Sequence, residues 1–194
     1  MKTPEYYTRY NIIDMGLGFS AMIRNFIAGT KAELHKKITE DIDKIFIASN
    51  KEDFNAIHTA FCKWGVGNIM LAERRDKKGN VIKKSSPASY GQIAKTLDVV
   101  MKVSIYYSHL PDCVTSKKLR PLLNAAVDNR MVRMLKKDYK SEMPIWPKTV
   151  EEVDEGKYNK LQDIVCQFIK DKHKDQIMPV QFDDIYWKQL NRES

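Results

Sequence analysis

Apolar positions recur at helical spacing along most of the chain, and that recurrence decides the fold class. An N-terminal segment runs to about Gly29, punctuated by Gly16 and Gly18, with Phe19, Met22, Ile23, Phe26 and Ile27 as its apolar stripe. Thr30 with Glu33 three residues on has the form of a capping box, and Leu34, Ile38, Ile42, Ile45 and Phe46 follow on one helical face. Asn50 is a candidate cap for a third helix carrying Phe54, Ile57, Phe61 and Trp64, with Gly65 and Gly67 as its stop signals. The pattern then changes. Ile69-Met70-Leu71, a charged stretch through Lys78-Gly79-Asn80, and Val81-Ile82 predict a short β-hairpin or loop over 69–84, with basic residues near its tip.

Ser86 before Pro87 predicts the start of a helix over about 87–108. From Leu97 to Tyr107 it is apolar on nearly every side, interrupted by Asp98, Lys102 and Ser104, with Asp98 and Lys102 spaced to pair. A helix apolar all round belongs at the centre of a bundle. Pro111 closes it, and 116–139 reads as helical, with Asp128 able to cap and divide it. Pro144 and Pro147 around Ile145-Trp146 mark a linker. Beyond it, Thr149 with Glu152 resembles a capping box for a short helix that Gly156 ends. Tyr158, Leu161, Ile164, Val165, Phe168 and Ile169 form an amphipathic helix, and Phe182–Leu190 a terminal one. The expected fold is all-α: a compact bundle of about seven helices around a buried central helix. Residues 1–143 form a basic helical domain, and 148–194 an acidic helical segment packed on the same body.

Charge sharpens that division. Residues 1–140 hold 25 Lys and Arg against 14 Asp and Glu, whereas 141–194 hold 8 against 11, giving the net +8. One basic cluster falls on the predicted hairpin, at Arg74, Arg75, Lys77, Lys78, Lys83 and Lys84. The second, Arg130, Arg133 and Lys137, lies on one face of the later helix. Such clusters suit phosphate backbones, and Tyr90 nearby is a candidate stacking platform. Equally, a lysine-rich surface serves solubility alone. Whether the clusters meet on one face decides between a nucleic-acid partner and an acidic protein partner.

Three cysteines and an N-terminus without an apolar core point to a reducing, cytoplasmic setting and no membrane partner. Two His-x3-Cys spacings, His58…Cys62 and His109…Cys113, are candidate zinc ligands. The plainer reading makes Cys62 a small core hydrophobe beside Phe61. Cys62 with His58 one turn away also has the elements of a nucleophile and base, but buried cysteines are inert. Carboxylates group at Glu40-Asp41-Asp43, Glu151-Glu152-Asp154-Glu155 and Asp183-Asp184, as metal-dependent nucleases require, though charge runs on amphipathic helices usually mark solvated faces. No phosphate-cradling loop, nucleophile elbow or His-Glu-x-x-His occurs, and no cofactor is expected.

A preceding helix, a linker and the run Ser86-Pro87-Ala88-Ser89-Tyr90-Gly91-Gln92-Ile93-Ala94-Lys95-Thr96-Leu97 are similar to the helical core-binding domain of tyrosine recombinases. That likeness spans at most about a third of the chain and includes none of the family's catalytic Arg/His/Tyr set, so it carries no activity. The sequence therefore favours a non-enzymatic nucleic-acid-binding accessory protein that grips the backbone of DNA or RNA. A helical adaptor or small subunit of a larger assembly is the alternative, and a metal-dependent enzyme such as a nuclease a further one.

Overall fold

The computed structural model describes residues 3–186. Long helices dominate: α1 (Pro4–Phe19), α2 (Thr30–Phe46), α3 (Lys51–Asn68), α4 (Tyr90–Met101) and α7 (Glu155–His173), with shorter α5 (Cys113–Leu119) and α6 (Asn129–Asp138). Residues 182–186 are also helical. The fold is all-α, as the periodicity predicts, and the β content is confined to one excursion. There β1 (Met70–Leu71) pairs antiparallel with β4 (Ser86–Pro87), and β2 (Arg74–Arg75) with β3 (Val81–Lys83). The two pairings nest, so the excursion is a single twisted ribbon. At its tip Asp76 Oδ1 accepts from the amides of Lys78 and Asn80, and Gly79 takes a positive φ of 88° that a side chain would disfavour.

The central helix is where the apolar run placed it. Along α4, Ile93, Ala94, Leu97, Val100 and Met101 are buried, and a π-helical segment, Lys102–Tyr107, prolongs it with Val103, Ser104 and Ile105 buried as well. Its wider turn is visible in the Ser108 amide, which donates to the Val103 carbonyl five residues back. Around α4 pack α1, α3 and α7. Each fully buried Leu, Ile or Met along it contributes about 1.5–3 kcal/mol through removal of apolar surface from water. Close approach is built in at glycine: a Cβ on Gly65 would lie 2.5 Å from Ile93, and one on Gly91 would lie 2.5 Å from the Val150 carbonyl. The core draws on both sides of the charge boundary, with Leu161, Val165 and Phe168 of α7 in the same apolar cluster as Leu97 and Val100.

Several local expectations are overturned, each for a physical reason. Ser86-Pro87 does not open α4, because its backbone completes the ribbon. Instead Ser89 caps the helix in a reciprocal box with Gln92. Gly65 and Gly67 do not end α3, which runs to Asn68; Gly65 is there to admit Ile93. Thr30 is not a capping residue, since Gly29 at φ 89° occupies that position. The helical stretch over 116–139 does divide in two at the Asp128 cap, but the first helix ends earlier than that cap requires. It breaks after Leu119 through Arg120-Pro121-Leu122, and Asp128 caps α6 by accepting from the Arg130 and Met131 amides. Gly156 begins rather than ends a helix, lying one residue inside α7 behind its Asp154 cap. Trp146 is no linker residue: it is buried and donates from Nε1 to the Lys140 carbonyl at 3.1 Å. Of the terminal helix expected over 182–190, residues beyond 186 lie outside the described range. No helix among the described residues is long and apolar enough to cross a membrane.

Candidate anion-binding cleft

The ribbon is anchored beside α1 and α4. The Ile27 amide donates to the Met70 carbonyl, Ala72 to Asn25, and Ala88 to Ile69. That anchorage sets Arg74 on β2 and Lys83 on β3 against the body of the protein. Opposite them, Asp128 starts α6 and so fixes where Arg130 and Arg133 emerge, three residues apart on one face. Gln92 and Lys95, likewise three apart, face the same space from α4. The result is a cleft of about 450 Å³ lined by Arg74, Lys83, Lys95, Arg130 and Arg133, with Asn25, Gln92, Asn129 and Thr149 as further polar groups. Met22, Leu71, Ala72 and Val150 give it a small apolar part, and no aromatic ring among the described residues lines it.

The two basic clusters thus converge, though only in part. Arg74 and Lys83 come from the first and Arg130 and Arg133 from the second. The others are displaced by local chemistry. Arg75 is folded back onto Glu73 and the Gly79 carbonyl at 2.7 and 2.9 Å. Lys77 and Lys78 stand exposed at the ribbon turn, while Lys84 and Lys137 are exposed and outside the lining. Lys95 was not singled out by the sequence reading. It stands on a helix that is otherwise almost wholly buried, and that burial comes from other elements.

Five cations face two carboxylates in this cleft, and both carboxylates are engaged. Asp128 caps α6, and Glu151 pairs with Lys83. Among the described residues, Arg74, Lys95, Arg130 and Arg133 form no ion pair. Burial pushes the Lys95 ammonium below the ordinary lysine value, against the pull of Asp128 and Asp183. A half-buried ammonium without a hydrogen-bonded counter-ion is energetically costly unless something anionic completes it.

A second polar constellation is sealed in the core. His58 Nε2 lies 2.9 Å from Asp98 Oδ1, the Tyr158 hydroxyl donates to Asp98 Oδ2 at 2.8 Å, and Cys62 Sγ is 3.7 Å from His58 Nδ1. His58 is 2% exposed, Asp98 2%, Cys62 0% and Tyr158 4%. Burial disfavours the charged imidazole, but the adjoining Cys62 sulfur and Asp98 carboxylate outweigh it and hold His58 up at about 10. This is a cysteine, histidine and aspartate in line, yet no substrate reaches the sulfur. The arrangement ties α3, α4 and α7 together.

Asp98 is therefore spent on His58 and Tyr158, and does not pair with Lys102. Lys102 reaches Asp183 and Asp184 at 2.6 and 2.5 Å instead. The zinc candidates do not assemble. His58 and Cys62 belong to the core network, His109 sits at φ 59° hydrogen-bonded to Arg120, and Cys113 is exposed at the start of α5. Among the described residues no group of three or more His, Cys, Asp or Glu side chains could hold a metal ion. The acidic clusters are largely occupied by cations: Asp41 by Lys37 and Lys44, Asp43 by Arg9, Asp154 by Lys157 and Glu155 by Lys63. Tyr90 cannot stack on a base. It is 6% exposed and its hydroxyl meets Thr59 Oγ1 at 3.3 Å.

No protein-family model, curated protein or solved structure matches the chain.

Proposed function

We propose that the protein is a non-enzymatic nucleic-acid-binding accessory protein that holds phosphate through this cleft. One observation carries the reading: basic residues far apart in sequence line one concave surface, and four of them form no ion pair among the described residues. Phosphate oxygens complete such a set, and each cation engaged releases condensed counter-ions from the strand. The lining is rich in donors and lacks aromatic rings, so it suits contacts to phosphate and sugar more than the reading of bases. The ribbon that supplies Arg74 and Lys83 carries Lys77 and Lys78 exposed farther out, which extends the basic surface along a bound strand.

Fluorescence anisotropy with labelled single-stranded DNA, single-stranded RNA and duplex DNA at low salt tests the reading. Saturable binding that Arg130→Glu weakens at least tenfold is the expected result. Absence of binding to all three, or binding indifferent to Arg130→Glu, would overturn it. Partners captured from lysate that persist after nuclease treatment would favour the adaptor instead.

A further inference from the structure

The cations of the cleft are graded in exposure. Arg74 and Arg133 are exposed, Arg130 is half-buried, and Lys95 stands half-buried on the central helix itself, flanked by the buried Ala94 and Thr96. A ligand that touches Lys95 has passed between the ribbon and α6. The Lys83–Glu151 pair ties the ribbon to the Val150–Glu152 turn, both of which line the cleft.

We propose that the cleft seats the terminal phosphomonoester of a nucleic-acid strand, with Lys95 and Arg130 holding the phosphate and Arg74 and Arg133 following the first internucleotide linkages. The inference rests on the nucleic-acid reading and narrows it from a backbone to an end.

Three observations carry it. The first is charge. With Glu151 on Lys83, the four cations without an ion pair and the Asp128 carboxylate leave about three positive charges for the ligand. A phosphomonoester brings about −1.5 to −2 at pH 7, roughly twice the charge of a phosphodiester. The second is the grading of exposure: Lys95 and Arg130 are half-buried and Arg74 and Arg133 exposed, so one phosphate engages the inner pair while the rest of the strand follows the outer one. The third is the lining. Around the cations stand Asn25, Asn129 and Thr149, and no ring is present to hold a base, so the deep group is the phosphate and the bases remain outside. Guanidinium groups offer paired donors for the outer oxygens, and the ammonium is a compact point charge for the innermost one.

The test compares one short oligonucleotide carrying a 5′-phosphate, a 3′-phosphate or hydroxyls at both ends, bound to wild type, Lys95→Met and Arg133→Ala. Lys95→Met keeps the length of the side chain and removes a partly desolvated charge, and thermal melting verifies that each variant is folded. Wild type is expected to prefer one phosphorylated end by about tenfold, the effect of about 1.4 kcal/mol. The ratio of phosphorylated to unphosphorylated affinity is expected to fall towards one in Lys95→Met and to survive in Arg133→Ala. Equal affinity for all three ends, or a preference that Lys95→Met leaves intact, would overturn the terminal-phosphate seat while leaving the nucleic-acid reading in place. Inorganic phosphate or pyrophosphate titrated alone separates the two further. Saturation by either without binding of any oligonucleotide would overturn the nucleic-acid reading and, with it, the strand end as the source of the phosphate.

Discussion

Replacing Asp98 by Asn should change how stability depends on pH, because it removes the carboxylate that, with the Cys62 sulfur, keeps His58 protonated. His58 is held at about 10, against 6.5 for the free side chain. A raised value means the folded protein binds the proton more tightly than the unfolded chain. The stabilisation is therefore complete below about pH 6.5 and is lost as pH climbs towards 10. The full shift corresponds to at most about 5 kcal/mol, at about 1.4 kcal/mol per pH unit. In Asp98→Asn the ion pair is gone and only Cys62 is left to raise His58, a loss of about 3–5 kcal/mol at neutral pH. Urea unfolding of both proteins from pH 7 to 9 measures the gap between them, which should narrow by up to about 2–3 kcal/mol, the full amount if Asp98 alone raises His58. Taking the difference matters. Lys51 and Lys95, whose ammoniums burial holds below the ordinary value, contribute slopes of the opposite sign to both proteins. A gap that stays constant or widens with pH would refute a protonated His58 paired with Asp98.

Other changes test the packing that positions the cleft. Gly91→Ala sets a methyl group 2.5 Å from the Val150 carbonyl and from Val153 Cβ, and should cost at least about 2 kcal/mol in urea unfolding. Lys102→Met strands Asp183, whose carboxyl burial already pushes up, and should cost about 3 kcal/mol by the same assay. Adding Asp183→Asn and Asp184→Asn to that variant should restore most of the loss. Asp128→Ala removes the acceptor of the Arg130 and Met131 amides at 2.9 and 3.0 Å and should lower stability by about 1 kcal/mol, read as a drop in Tm.

The helices were legible where burial alone decides them. The run from Leu97 to Tyr107, apolar on nearly every side, announces a central helix, and Asn50 and Asp128 announce their caps because each acts on amides within three residues. Failures cluster where a distant partner settles a local choice. Gly65 looks like a stop signal until Ile93 is seen against it, and Ser86-Pro87 looks like a helix start until Met70-Leu71 pairs with it. The cleft follows the same rule. Arg74, Lys83, Arg130 and Arg133 stand out by composition, but their convergence depends on where the ribbon is anchored. Lys95 is hidden because its importance comes from burial and from neighbours supplied by other elements. Conversely, the paired His-x3-Cys spacings are a coincidence of sequence: one pair lies in the core and the other beside Arg120.

The central claim is that phosphate is held by cations converging from the ribbon, α4 and α6. Its most direct test is the salt dependence of single-stranded DNA affinity for wild type and for Arg130→Ala/Arg133→Ala. Each phosphate contact contributes about 0.7 to the slope of log affinity against log salt for a single strand. Wild type should therefore show a slope steeper than about −2, and the double variant a slope shallower by about 1.4. Identical slopes and affinities for the two proteins would contradict the account.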